Sequence, residues 1–252
     1  MDSSRLLTCL NDDYDRLRAA VTAADPAARV PSCPDWTAND LTEHVAKVYL
    51  HKAECIRLQA FPEEWPEGVL DEADPLGTLE RTHARLSEEF AAHAPTDPAA
   101  TWHEPDQTVS FWIRRMAQET VIHRVDAELV AGRPLSPIPD DLALDGIDEI
   151  LKLFLGYGST VWQDEFGSLL HAPDERPVLV TAGGRGWVVT AVEGRVEVAD
   201  ADPATPSDAR VSGEPQPLLL WLWNRTDDAA VQTSGDTVLL KQFQALRTAA
   251  TQ

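Results

Sequence analysis

Three residues carry the most specific chemistry this chain could perform. Glu119 and His123 stand four residues apart in QTVSFWIRRMAQETVIHRVDAELVAG, residues 107–132. Residues at i and i+4 lie one above the other on a helix, so this carboxylate and imidazole can reach a common point. His44, in LTEHVAKV, would join them from a second helix. Two imidazoles and one carboxylate form a three-ligand set for catalytic zinc, with a fourth position left for water or a thiol. A plainer reading stands beside this one. E-x-x-x-H arises readily by chance, and a buried histidine is more commonly a hydrogen-bonded core residue.

Other side chains each have two readings. Asp126, three residues beyond His123, can orient a metal-bound imidazole or pair with Arg124 or Arg133. Arg114 and Arg115 precede Glu119 by about a turn and can pair with acidic neighbours or receive an anionic substrate. Cys33 stands just before a helix N-terminus, where the dipole lowers a thiol pKa. It has no evident His/Asp set, so a structural thiol between Pro31 and Pro34 is favoured. His51, seven residues after His44, is a reserve ligand. His83, His93, His103 and His171 stand in polar surroundings and read as solvated. Arg225, in WLWNRT, either satisfies carbonyls at a helix C-terminus or projects to bind a carboxylate. Gly183 to Gly186, GGRG, lacks a phosphate-loop lysine and reads as a hairpin turn.

The elements that must position these groups follow from periodicity. Leu6, Leu7, Leu10, Tyr14, Leu17 and Val21 predict a helix over 4–24, ended by Asp25-Pro26. VPSCPDW reads as a loop. Thr37 to Asp40 is a capping box that opens a second helix carrying Leu41, His44, Val45 and Val48. A polar connection over 61–74 leads to a third helix from Leu76 to His93. The fourth runs from Gln107 to Val130, with Trp112, Met116, Glu119, His123, Ala127 and Val130 in one stripe. A Glu and a His in an otherwise apolar stripe cost free energy unless paired or metal-bound. Four such helices with loops of moderate length predict an antiparallel four-helix bundle. A fifth helix over 140–162 caps the bundle or bridges two domains. Short β-branched runs at Val178–Thr181, Trp187–Val192, Val196–Ala199, Arg210–Ser212 and Ala230–Thr233 read as strands, the first three antiparallel. Helices are expected at Pro215–Trp223 and Thr237–Ala249.

Composition narrows the function. The chain has 252 residues, 43% of them hydrophobic, including eight tryptophans, enough for one large or two small cores. Its net charge is -21: residues 1–132 carry 24 acidic against 12 basic residues, and residues 133–252 carry 18 against 9. Phosphate backbones require the opposite sign, so nucleic acid is not an expected partner. No apolar run is long enough to span a membrane, and the acidic N-terminus does not fit a signal peptide, which points to the cytoplasm. Three scattered cysteines make neither a disulfide framework nor a Cys-rich zinc site.

VPSCPDWTANDLTEHVAKV followed by RRMAQETVIHRVDAEL resembles the mycothiol-dependent maleylpyruvate isomerase family, and LLLWLWNR resembles a helix of that family's C-terminal domain. Asp35 departs from the pattern at a loop position where a small residue, often Gly, is usual. The resemblance implies an α+β protein. Residues 1–138 would form a DinB-like metal-binding four-helix bundle, 139–176 a bridging helix and linker, and 177–252 a small sterol-carrier-like α+β domain. It also implies a divalent metal, usually zinc, on His44, Glu119 and His123, a matching role for Arg225, and mycothiol as thiol cosubstrate. The function expected is activation of that thiol for attack on an electrophilic small molecule, by isomerisation or S-transfer. A non-catalytic small-molecule-binding or stress-response module and a metal-dependent hydrolase are the alternatives.

Overall fold

Helix starts in this chain are written in its capping residues. Helix α1 (Ser3–Ala23) is opened by Asp2, whose carboxylate accepts from the Arg5 amide at 2.8 Å. Helix α2 (Ala38–Leu58) is opened by the expected box: Thr37 and Asp40 each take the other's backbone N–H. Helix α3 (Pro75–Ala92) has Asp74 as cap and proline in its first turn. Helix α4 (Val109–Val130) ends before Gly132, which has φ +63°. The computed structural model describes residues 1–64, 69–71, 73–171 and 173–251. Residues 65–68 and 72 of the expected connection lie outside these.

The described chain divides into two compact units, Met1–Ser136 and Pro137–Gln252. In the first, α1 packs on α4, and α2 packs on both α3 and α4, giving the predicted four-helix bundle. Helix α4 is more central than its single stripe suggested. Its buried residues lie all round the helix, and they include Arg115, Gln118, Arg124, Asp126 and Glu128. Buried charge of this kind needs partners. Arg124 has them: its Nε donates to Asp13 of α1 at 3.1 Å and its Nη1 to Glu128 at 2.7 Å.

VPSCPDW is not all loop. Strand β2 (Cys33–Thr37) pairs antiparallel with β1 (Arg29–Val30) and delivers the chain directly into α2. The backbone of this short ribbon places Ser32 and Trp36 at the mouth of the α2/α4 seam described below.

In the second unit, α5 (Asp140–Glu149) continues into an eight-residue π-helical segment (Ile150–Tyr157) and a final turn, α6 (Gly158–Val161). The expected helix over 140–162 is thus continuous but wound more widely in its middle. An apolar run such as ILKLFLGY does not signal that difference. A short helix α7 (Gln163–Phe166) and a 3₁₀ turn follow. Strands β3 (Val178–Ala182), β4 (Arg185–Val192) and β5 (Arg195–Ala201) form an antiparallel meander. Gly183 and Gly184, both at positive φ, make the two-residue hairpin turn between β3 and β4, as the sequence indicated.

Strand β6 (Ala209–Ser212) runs parallel to β3, and β7 (Gln232–Gly235) antiparallel to β6, in the order β5-β4-β3-β6-β7. The sheet is therefore mixed: segment 202–208 carries the chain back along the sheet before it re-enters on the far side of β3. Helix α8 (Pro215–Leu222) packs on α5, and α9 (Thr237–Ala249) lies against β3, β6 and β7. Ala230 belongs to a 3₁₀ turn capped by Asp227, not to the strand expected to begin there. Among the described residues, no helix is long and apolar enough to cross a membrane.

Candidate metal centre

Helices α2 and α4 run antiparallel where their side chains meet. Along the seam, His44 meets Glu119, Tyr49 meets Thr120 and Lys52 lies over Trp112. The first of these contacts is the centre of the site. His44 Nε2 lies 3.2 Å from Glu119 Oε1, and His123 Nε2 lies 3.2 Å from the same oxygen. The ligand atoms offered by His44, Glu119 and His123 all lie within 4.8 Å of one another, the one such group among the described residues. The spacing of Glu119 and His123 and the placement of His44 are thus as the sequence suggested.

The surroundings fix these side chains. Asp126, fully buried, takes the other nitrogen of His123, Nδ1, at 2.9 Å, and Ser32 Oγ donates to the second oxygen of Asp126. Of the two readings of Asp126, orientation of His123 is the one the geometry shows. Arg115 Nη2 donates to Glu119 Oε2 at 2.7 Å, leaving Oε1 toward the imidazoles. Trp36 covers them, its ring 4.6 Å from His44 and 6.0 Å from His123, centroid to centroid. The site opens at His44, whose side chain is 35% exposed against 10% for His123.

The charges at the site compensate one another within the group. For Glu119, burial alone would raise the pKa. The His123 charge, hydrogen bonds from His123 and His44, and Arg115 outweigh burial and hold the carboxyl well below the usual range. For His123, burial opposes the charge, while Glu119 and Asp126 outweigh burial and lift its pKa to about 9. An imidazole with a carboxylate at each nitrogen keeps a proton when no other positive charge is present. A divalent metal would replace the proton on Nε2 and leave the one shared with Asp126, the usual arrangement of a carboxylate–histidine–metal unit. The donor set, two imidazoles and a carboxylate with a held outer carboxylate, fits such an ion.

Outside this group, the readings of His51, His83 and His103 are corrected, and the other candidates take the following places. His51 is not in the group: its Nδ1 faces Lys52 Nζ at 3.1 Å and Cys55 Sγ at 3.5 Å. His83 is not solvated. Its ring stacks on Tyr14 at 3.4 Å, and burial, partly offset by Asp15, lowers its pKa to about 4. His103 lies stacked near Phe111. Only His171 of that set is exposed, and His93 is half-buried. Arg114 points elsewhere than Arg115: its charge acts on His103. Cys33 lies on β2 outside the ligand group. Arg225 belongs to the second unit, where its Nη1 donates to the Trp223 carbonyl at 2.7 Å. Ser32 and Lys52 are features that sequence reasoning did not single out. Trp36 entered only as part of a motif, and no periodic signal marks a residue on so short a ribbon.

A helix bundle with a His/Glu/His cluster in one unit, joined to a mixed α+β unit, defines a two-part class of protein. Residues 7–128 match the model of the mycothiol maleylpyruvate isomerase N-terminal domain, and residues 141–242 match that of the corresponding C-terminal domain. The chain belongs to the mycothiol-dependent maleylpyruvate isomerase family. Two solved structures of the mycothiol-dependent maleylpyruvate isomerase, one of them of a mutant, share its fold. Each has a TM-score of 0.62 and 16% identity, over 94% of this chain and 95% of that one. A comparison with curated proteins returns no match.

Proposed function

We propose that this protein is a metal-dependent enzyme that activates mycothiol for attack on an electrophilic small molecule, as an isomerase or thiol S-transferase. The observation that carries the reading is the convergence of the His44, Glu119 and His123 ligand atoms within 4.8 Å, with Asp126 behind His123. Mycothiol is taken as the thiol because the family and the similar solved structures bear its name. A divalent metal, zinc in this reading, supplies when bound the Lewis acidity that makes a thiolate available near neutral pH.

The chain's own residues do the rest. His44, Glu119 and His123 hold the metal. Asp126 keeps the proton on Nδ1 of His123, so that Nε2 presents its lone pair. Arg115 occupies Glu119 Oε2 and fixes which oxygen is the ligand. Trp36 shields one side of the imidazoles from water. The thiolate attacks an electrophilic carbon of the substrate. Addition to a conjugated C=C moves its π pair onto the attached carbonyl; protonation of that enolate gives a conjugate, whereas rotation about the new single bond and expulsion of the same thiolate re-forms the C=C of an isomer. The resemblance of LLLWLWNR to a helix of the family's C-terminal domain assigns the catalytic role to Arg225. In this reading the protein works in the cytoplasm, where low-molecular-weight thiols are kept reduced.

The test is thiol-dependent turnover of an activated electrophile by metal-loaded protein, beside His123→Ala. The reading predicts that metal and activity are lost together in the variant. Full activity in a metal-free variant would contradict it, and turnover without thiol would favour the hydrolase.

A further inference from the structure

A two-stranded ribbon does not support itself in water; it needs further strands or a helix to pack on. The β1–β2 ribbon has little pairing of its own. Arg29 is paired with Thr37 and Val30 with Cys33, so the register jumps and leaves Pro34, Asp35 and Trp36 without register partners on β1. Across that gap the Arg29 guanidinium donates to the Asp35 carbonyl at 2.9 Å. Pro34 and Asp35 are exposed. The ribbon is held by the bundle instead, β1 against α4 and β2 against α2.

Its base is fixed through the backbone. Ala38 N–H donates to the Ala28 carbonyl at 2.9 Å and Asn39 N–H to the Pro26 carbonyl at 3.0 Å, while Val30 is fully buried. The tip is tied by a side chain: Ser32 Oγ donates to Asp126 of α4. Pro31 and Pro34 flank that tip with fixed φ, so it moves as a piece rather than residue by residue.

The same ribbon carries Trp36, whose ring lies over both imidazoles. One short segment thus reaches the His44/Glu119/His123 group twice. Ser32 acts through Asp126 on the Nδ1 side of His123, and Trp36 covers the rings.

We propose that the β1–β2 ribbon is a hinged strap over this site, latched at its tip by Ser32 to Asp126, and that its opening uncovers the imidazoles and frees Asp126 in one motion. Ser32 is then a positioning residue, and opening of the strap is the step that admits and releases a metal ion. That second consequence rests on the reading of the cluster as a metal site; the latch itself does not.

Full-length protein is compared with Ser32→Ala and Ser32→Thr in two measurements. The first is hydrogen exchange of metal-free samples. The bond from Ser32 goes to a charged acceptor, so its loss should speed exchange of the ribbon amides of Cys33, Asp35, Trp36 and Thr37 at least about tenfold in Ser32→Ala. Exchange in α1 and α3 should be unchanged, and Ser32→Thr, which keeps the hydroxyl, should stay close to wild type. Ribbon exchange unaltered in Ser32→Ala, or raised equally in α1 and α3, overturns the strap. The second measurement is the rate at which zinc-loaded samples yield zinc to excess chelator in stopped flow. Ser32→Ala should release zinc at least about tenfold faster than wild type, and Ser32→Thr should restore slow release. Equal release rates beside a loosened ribbon overturn the claim that the strap gates the site. A wild type that takes up no zinc, but whose ribbon loosens in Ser32→Ala, refutes the metal reading and leaves the latch standing.

Discussion

Asp126 shows how much of this site depends on residues that would not touch a ligand. It fixes which nitrogen of His123 faces Glu119, and Ser32 in turn fixes Asp126. Replacing such an outer carboxylate costs about 10–100-fold in metal affinity. Asp126→Asn should therefore bind zinc about 10–100-fold more weakly in a chelator competition while its circular dichroism is unchanged. Unaltered affinity would reduce Asp126 to a core carboxylate. His83 makes a separate prediction about pH. Its folded pKa of about 4 lies below its ordinary 6.5, so between those values the unfolded chain binds a proton that the folded chain does not. Stability is full above 6.5 and declines as pH falls toward 4. His83→Phe keeps a ring against Tyr14 and cannot titrate. Its urea stability should fall less between pH 7 and pH 5 than that of wild type, by about 1 kcal/mol after discounting for partial exposure. The residue types of the cluster were legible because E-x-x-x-H is local. The stacked His83 was not, because its partner Tyr14 is distant in sequence.

At the scale of elements, α4 organises the bundle through charge as well as apolar packing. Arg124, fully buried, joins α4 to α1 through Asp13 and to the chain after α4 through the Ser136 carbonyl. Removing one partner of a buried ion pair leaves the others uncompensated, at a cost of about 3–5 kcal/mol. Arg124→Met should lower unfolding free energy by about that amount in a denaturant titration. A loss under 1 kcal/mol would mean that Asp13 and Glu128 find other partners or take up protons. Helix ends were readable because capping is local: Thr37 with Asp40, and Gly132, stand where expected. Burial around the whole of α4 was not readable, since Arg115, Arg124 and Glu128 look like a solvated face until their partners are known. The parallel pairing of β3 with β6 was hidden for the same reason. Strand runs reveal where strands are, but the path of segment 202–208 decides which edge β6 joins.

For the whole molecule, the α+β class was legible from texture, helical periodicity before Gly132 and short β-branched runs after Pro177, whereas the family was legible only in the motifs around Trp36 and His123. The three proposed ligand residues all belong to the first unit, Met1–Ser136, while Arg225 belongs to the second. The central claim is that His44, Glu119 and His123 together hold one divalent metal. Its most direct test is elemental analysis of the purified full chain beside His44→Ala and Glu119→Ala. The account predicts near-stoichiometric zinc or another divalent metal in the wild type and its loss in both variants. A wild type that takes up no metal even when supplied with it, or variants that retain it in full, would contradict the account and leave Glu119 and His123 as a buried structural pair.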